Sequence, residues 1–237
     1  MNPDSPRPVV HVVAGVVIDA VGRVLIAQRP AGKHLAGGWE FPGGKLEPGE
    51  ERVAGLAREL REELGITIST PRPLIRVRHA YPSRVVLLDI WVVKRYGGEP
   101  QGLDGQALRW CIQEELATVD LLPADKPIVA ALRLPERLTQ GSSHDYSVSV
   151  SSLLGSATVD AQVSRDARLH GALCVRTCDA AAAAAAGADF LVMQDALVDA
   201  ELAALSGLVP VPVFARGIGL EQAWALGASG LNEIRSY

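Results

Sequence analysis

The 237-residue chain predicts an α/β protein in two parts, an α/β/α sandwich around a mixed sheet followed by a partial run of (β/α) units. Three observations carry this expectation. Short β-rich apolar runs fill much of the first half. A glycine turn followed by an acidic helical segment interrupts them. After the polar stretch LTQGSSHD the texture changes to apolar runs alternating with alanine-rich helical segments, the pattern of a parallel sheet with right-handed crossovers. The expected boundaries are a first domain over residues 1–136, a linker over 137–145 and a second domain over 146–237.

HVVAGVVI and RVLIAQR read as two strands joined by a hairpin turn at 19–22. Phe-Pro-Gly-Gly at 41–44 reads as a tight turn, and residues 51–64 as the helix it introduces. Residues 85–93 and 108–111 read as further strands, and 126–134 as a second helix. In the second half YSVSVSSLL, ALCV, DFLVM, VPVFA and SGLNEI read as strands, with helices near 157–169, 178–187, 197–206 and 219–227. The alanine run at 180–186 needs only helix propensity and close packing to explain it.

With 48% hydrophobic side chains the chain can bury a sizeable core. A formal charge of −4, without a basic stripe, argues against a nucleic-acid polymer as partner. The opening MNPDSPRP lacks a signal-peptide pattern, and no run reaches the ~20 apolar residues of a membrane span. A cytoplasmic protein with no membrane partner is expected. Cys111, Cys174 and Cys178 are too few for a disulfide framework, and the latter pair has no neighbouring histidine for zinc, so reduced thiols are expected.

The chemistry is concentrated in GKLEPGEERVAGLARELREELGI. Glu59, Glu62 and Glu63 fall at i, i+3 and i+4, one face of a helix. Like charges so placed repel, and a divalent cation relieves them; oxygen ligands favour magnesium, or manganese, over zinc. Gly43 can point a carbonyl at such an ion, and Arg58 can hold a carboxylate bidentately. Glu50 lies out of phase with the cluster and is expected to support it from the helix start. A solvated acidic face is the plain alternative, but these features at this spacing rarely coincide.

This segment resembles the Nudix box, Gly-x5-Glu-x7-Arg-Glu-U-x-Glu-Glu-x-Gly-U with U aliphatic, without departure. VVAGVVIDAVGRVLIAQRP, WEFPGGK, DIWVVKRYGGEPQGLDGQALRW and LLPADKPIVAAL extend the likeness to about residue 135 and are similar to the MutT branch, the 8-oxo-dGTP diphosphatases. The resemblance implies a Nudix sandwich that uses Mg2+, or Mn2+, to hydrolyse a free purine nucleoside triphosphate to the monophosphate and pyrophosphate. The expected role is removal of 8-oxo-dGTP from the nucleotide pool before it enters DNA. It also implies Glu59 as base and metal ligand, Glu62 and Glu63 as ligands with the Gly43 carbonyl, and Asp104 in GLDG where relatives place a distant glutamate. Arg29 is implied near the phosphates, Arg84 near the base, and Asp125 where relatives carry an asparagine that reads the purine edge. Aspartate is a departure: ionised, it only accepts, so meeting a purine carbonyl requires a proton or an intervening water. Tyr81 and Phe41 are candidates to contact the ring, with core packing as the alternative, while Trp39 reads as packing and His34 as a solvated loop histidine.

GADFLVM, VPVFARGI and ALGASGLNEIRSY resemble later strands of thiamine phosphate synthases and their TenI-like relatives, which are TIM barrels. Such a barrel needs ~200 residues or more, about twice what this region holds. A truncated, TIM-barrel-like domain without synthase activity is expected. Arg216 stands where that family commonly has a second glycine, leaving at most a residual anion site at Gly217 and Ile234. A half barrel exposes sheet edges and faces that the first domain, a second copy or a rearrangement must cover, and homodimerisation through this region is one of these three expectations. The alternatives are a Nudix hydrolase of another pyrophosphate, such as a thiamine-pathway diphosphate, and a non-catalytic ligand sensor.

Overall fold

The computed structural model describes residues 7–33, 35–134, 137–138, 146–149, 169–174, 180, 182–184, 188, 190–209 and 211–232. The chain divides into two compact units, residues 1–72 with 77–129, and 73–76 with 130–237.

In the first unit β1 (Val9–Val17), β2 (Val24–Gln28), β3 (Trp39–Glu40) and β4 (Gly43–Lys45) precede helix α1 (Arg52–Leu64). Strands β5 (Thr67–Ser69), β6 (Arg72–Ala80, of which 73–76 count with the second unit), β7 (Val85–Val93), β8 (Arg95–Gly97) and β9 (Leu108–Cys111) follow, then a 3₁₀ turn (Gln113–Thr118) and helix α2 (Lys126–Leu132, of which 130–132 count with the second unit). The main sheet is mixed, in the order β4-β1-β7-β6, with β1 parallel to β7 from Val9↔Val85 to Val17↔Val93 and antiparallel to β4. A second, antiparallel sheet runs β3-β2-β9, and β5 pairs with β8.

β1 is a near-continuous apolar run because it is central, and its last five residues are buried. On α1, Leu56, Leu60 and Leu64 recur every four residues and are fully buried, packing on Val13, Val17, Leu25, Ile66 and Val93. Gly15 opens the sheet surface to this ridge: a Cβ there would lie 2.9 Å from Leu60 Cδ1. The helix stops at Gly65, left-handed at φ 70, whose N–H donates to the Arg61 carbonyl at 3.0 Å while the Ile66 N–H donates to the Leu60 carbonyl at 3.4 Å. The opposite face of α1 is therefore fixed toward the acidic cluster.

The hairpin expected at 19–22 forms its turn but not its ladder. Asp19 O accepts the Gly22 N–H at 3.1 Å, yet the strands meet only through one bridge, Ile18↔Val24. Both edges of β1 are already engaged, by β7 along its length and by β4 at Val12 to Ala14, so β2 departs into the other sheet. The turn expected at 41–44 is also shorter, since Gly43 and Gly44 belong to β4. Helix α2 ends at Leu132 rather than 134.

The second unit contains β10 (Arg137–Leu138), β11 (Tyr146–Ser149), β12 (Leu169–Cys174), β13 (Phe190–Met193), helix α3 (Asp199–Leu208), β14 (Val213–Ala215), helix α4 (Leu220–Ala225) and β15 (Gly230–Asn232). Its sheet is parallel throughout, in the order β10-β15-β14-β13-β12-β11. Alternate residues serve opposite faces. Leu191, Met193, Val213 and Ala215 pack with Leu202, Leu205 and Ala223, whereas Phe190, Val192 and Phe214 pack with Leu138. Arg137 and Leu138, at the start of the expected linker, are thus in a strand. Residues 139–145, the expected helix near 157–169 except Leu169, which instead opens β12, and His34, Cys178 and Ile234 lie outside the described residues. Among the described residues no helix is long and apolar enough to cross a membrane.

Because Leu60 fills the notch over Gly15 in a fully buried core, Leu60→Ala is expected to cost about 2–5 kcal/mol in urea unfolding. A loss within experimental error would show that α1 is not held by this ridge.

Candidate active site

Arg58 organises the acidic face of α1. Its Nε and Nη2 each donate to a Glu50 oxygen at 2.8 Å, and its Nη1 donates to Glu59 Oε1 at 2.8 Å and Glu62 Oε2 at 3.2 Å. Nη2 also reaches the Lys45 carbonyl at 3.0 Å, so all five guanidinium N–H groups are used. Glu50 accepts the Glu47 N–H as well, at 2.9 Å. Hydrogen bonds from Arg58, then that backbone bond, hold the Glu50 carboxyl down at about 2, and Arg58 in turn grips its proton more tightly, chiefly through Glu50 and Glu59. Two glycines make room. A Cβ on Gly55 would lie 2.4 Å from Leu46 Cδ2 and 2.9 Å from Glu50 Oε2, and one on Gly44 would lie 2.2 Å from Glu59 Oε2.

Glu63 is in a different environment. It accepts the Gly43 N–H at 3.0 Å, yet burial first, then the charges of Glu59, Glu40 and Asp104, push its carboxyl up to about 7 against that hydrogen bond. Asp104 comes close because its loop is tied to the end of α1: Leu103 N and Gln106 Nε2 both donate to the Glu63 carbonyl, at 3.0 and 3.1 Å. Gln106 Oε1 also accepts the Asp104 N–H at 2.9 Å.

Away from this cluster, Asp125 is buried just before α2. Burial and the charge of Glu40 push its carboxyl up to about 8, against a hydrogen bond with the Phe41 backbone and the charge of Arg29. Burial also raises the Tyr81 phenol. The Tyr81 ring has Arg84 Cζ 6.0 Å from its centroid and stands edge-on to His79 at 4.5 Å. Arg29, expected near the phosphates, is paired with Glu40 on β3.

One cavity of about 630 Å3 collects Gly43, Glu59, Glu62, Glu63 and Asp104 together with Arg29, Phe41, Tyr81, Arg84 and Asp125. Glu50 and Arg58 are not in its wall; Glu50 holds Arg58, and Arg58 bonds Glu59 and Glu62, which are. Glu40, Gly44, Lys33 and Lys45 also line it and were not among the sequence candidates. The lone Glu40 in WEFPGGK carries no spacing signal. Gly44 could have been found from the glycine pair that opens the acidic segment. Among the described residues no three carboxylates converge as a ready metal-ligating group: Arg58 holds Glu59 and Glu62, and Gly43 holds Glu63. The donors nonetheless suit a hard divalent cation, being oxygens, and burial followed by the charges of Glu59, Glu40 and Asp104 disfavours the Glu63 carboxylate while no cation is there.

A mixed sheet, a carboxylate-bearing helix and a nucleotide-sized cavity define a class of phosphate-bond enzymes, and comparison with known proteins supplies the family. A family model described as NUDIX domain matches residues 13–131. A CTP pyrophosphohydrolase of Escherichia coli (strain K12) is 42% identical over 119 residues, covering 50% of this chain and 88% of that protein. An 8-oxo-dGTP diphosphatase of the same strain is 35% identical over 123 residues, covering 52% and 95%, and one from Proteus vulgaris is 44% identical over 89 residues, covering 38% and 80%. The chain belongs to the Nudix family. It is a hydrolase of phosphoanhydride bonds.

Glu50 has a native carboxyl pKa of about 2, below its ordinary value of 4.5, so its contribution to stability is complete above pH 4.5 and is lost as pH falls through about 2. The melting-temperature advantage of the native chain over Glu50→Gln is therefore expected to be full at pH 6 and to vanish near pH 2. A gap independent of pH would remove the Glu50–Arg58 pair as its source.

Proposed function

We propose that this chain is a divalent-metal-dependent nucleoside triphosphate pyrophosphohydrolase that converts 8-oxo-dGTP to 8-oxo-dGMP and pyrophosphate, clearing oxidised nucleotide before it reaches DNA. The observation that carries this reading is a single cavity with a carboxylate cluster, a buried Asp125 and the ring of Tyr81 in its wall. Glu59, Glu62 and Glu63, with the Gly43 carbonyl and Asp104, would hold Mg2+ or Mn2+. When bound, such an ion neutralises phosphate oxygens and acidifies water. Glu59 takes the proton of the attacking water: Arg58 engages its Oε1, and Oε2 is left in the space over Gly44. Arg58 and Glu50 fix that carboxylate's direction and do not touch substrate.

For base recognition, the raised Asp125 pKa supports a protonated acid at neutral pH. A protonated carboxyl donates and accepts, as asparagine does, so it can meet a purine carbonyl with one oxygen and a ring N–H with the other. Phe41, Tyr81 and Arg84 complete the proposed base pocket. The relative named a CTP pyrophosphohydrolase, at 42% identity, favours a second reading with a cytosine nucleotide, whose edge also mixes donors and acceptors. The second unit is proposed to be a partial (β/α) barrel without thiamine phosphate synthase activity; its parallel sheet supports the architecture.

Glu59→Gln is expected to lower kcat for 8-oxo-dGTP with Mg2+ by about 10²–10⁴-fold while thermal unfolding is unchanged. Turnover at the native rate would remove Glu59 as base, and higher kcat/KM for CTP or thiamine diphosphate than for 8-oxo-dGTP would overturn the substrate ranking. Asp125→Asn tests the proton. The native acid keeps it below pH 8 and loses it above, so native kcat/KM is expected to fall through pH 8 while the variant's does not. The folded state binds this proton between 3.8 and about 8 and the unfolded state does not, so stability falls as pH rises across that window and the variant's melting temperature gains on the native chain's. A stability difference that does not vary with pH would show that Asp125 is ionised throughout.

A further inference from the structure

Arg7 and the hydroxyl of Tyr81 are side-chain groups that the proposed chemistry leaves without a task. Residues 81–84 turn β6 into β7, and the Tyr81 N–H closes the turn on the Arg84 carbonyl at 2.8 Å. Arg7 secures it from outside. Its Nη1 donates to the Tyr81 carbonyl at 3.1 Å, while the neighbouring Pro8 carbonyl accepts the Val85 N–H at 2.9 Å. Both main-chain polar groups of Tyr81 are therefore tied. Its ring reaches the cavity wall with His79 edge-on at 4.5 Å and Arg84 Cζ 6.0 Å from the centroid.

The phenol oxygen accepts the Ala124 N–H. Along residues 122–125 the other main-chain donors are occupied: Leu122 gives its N–H to the Trp39 carbonyl and Asp125 to the Leu122 carbonyl, both at 2.9 Å, and Pro123 has none. Ala124 is 5% exposed and Asp125 4%, so the Tyr81 hydroxyl serves a donor withdrawn from water, where an unmade bond is costly. Phenylalanine would supply the same ring and no acceptor.

We infer that Tyr81 is a positioning residue for Asp125, its hydroxyl fixing the Ala124 N–H and with it the adjoining carboxyl, and that Arg7 fixes Tyr81 in turn through its carbonyl. The consequence for base recognition rests on the nucleotide reading of the cavity; the positioning itself does not. Burial is the largest cause of the raised Asp125 pKa, so a loosened 122–125 segment that admits water lets it fall from about 8 toward 3.8. The charged groups that act on Asp125, Glu40 and Arg29, are untouched by substitution at either position. The Tyr81 phenol, raised by burial above its ordinary 10, does not titrate in that window.

The test is a carbon-13 NMR titration of the Asp125 carboxyl in the ligand-free native chain, Tyr81→Phe, Arg7→Ala and Arg7→Lys, followed by calorimetric binding of dGMP and of inorganic pyrophosphate with Mg2+. Tyr81→Phe is expected to lower the Asp125 midpoint by about one pH unit. Arg7→Ala, at an exposed position that leaves the core intact, is expected to lower it by less, and Arg7→Lys, which keeps a donor for the carbonyl, to restore the native midpoint. Tyr81→Phe is expected to bind dGMP about tenfold more weakly and pyrophosphate as the native chain does. With Asp125→Ala already in place, Tyr81→Phe is expected to cost dGMP nothing more, because the hydroxyl acts through that carboxyl. An Asp125 midpoint unmoved in Tyr81→Phe or in Arg7→Ala overturns the inference. So does a tenfold loss of dGMP on adding Tyr81→Phe to Asp125→Ala, which would make the hydroxyl a direct contact to the base. A native chain that binds no dGMP while the midpoints move as stated loses the nucleotide reading and keeps this assignment.

Discussion

Glutamates on adjacent turns of one helix repel one another, and in this chain a single guanidinium lets them share a surface. Arg58 places all five N–H groups on Glu50, Glu59, Glu62 and the Lys45 carbonyl, so one positive charge sets the direction of three carboxylates. Lysine could not do this, because a compact ammonium has three donors and no planar fork. The arrangement also explains why Gly44 and Gly55 carry no side chain: a Cβ at either would occupy the space of a carboxylate or of Leu46 beside it.

Four carboxyls in the first unit show how environment sorts one functional group into separate tasks. Glu50, bonded twice by Arg58, is lowered to about 2 and serves as a permanent anchor. Glu63, buried beside other acids, is raised to about 7, and Asp125, buried near Glu40, to about 8. Glu40 is raised by burial but opposed by its pairing with Arg29. Charge stays low where burial outweighs the single backbone hydrogen bond at Glu63 or Asp125, and concentrates at Glu50, where Arg58 supplies two donors. A cavity built this way can accept a polyanion with its counter-ion at one end and an uncharged ring at the other.

Legibility in the sequence followed the range of the interaction. Helix α1 and its carboxylate face were readable because a 3.6-residue period puts Leu56, Leu60 and Leu64 on one side and Glu59, Glu62 and Glu63 on another, with no outside partner needed. Strands β1 and β7 were readable as apolar runs. The ladder between β1 and β2 was misread because a turn sequence at 19–22 does not reveal that β4 and β7 already occupy the edges of β1. Strand β6 went unseen, since charged residues interrupt its apolar positions. Glu40 was missed for a related reason: its importance comes from the pairing of a two-residue strand with Ala27, which carries it to Arg29. Asp125 was recognised as a departure from asparagine, but its proton depends on burial, which only the fold determines.

The two units also differ in what their cores ask of them. Every residue lining the large cavity falls between Val10 and Asp125, inside the first unit, so the proposed chemistry draws no side chain from the second. The second unit is apolar on both faces of its parallel sheet, with Leu191 and Met193 toward one cluster and Phe190 and Val192 toward another. Parallel sheets require this, since each face must be covered. The buried residues of β13 and β14 are therefore accounted for by packing alone, whereas several residues of the first unit's cavity are not. Buried Asp125, the partnerless Arg29 Nε and the raised Glu63 each carry a cost that a hydrophobic substitute would avoid, and the charged, hydrogen-bonding ligand proposed for this cavity would offset it.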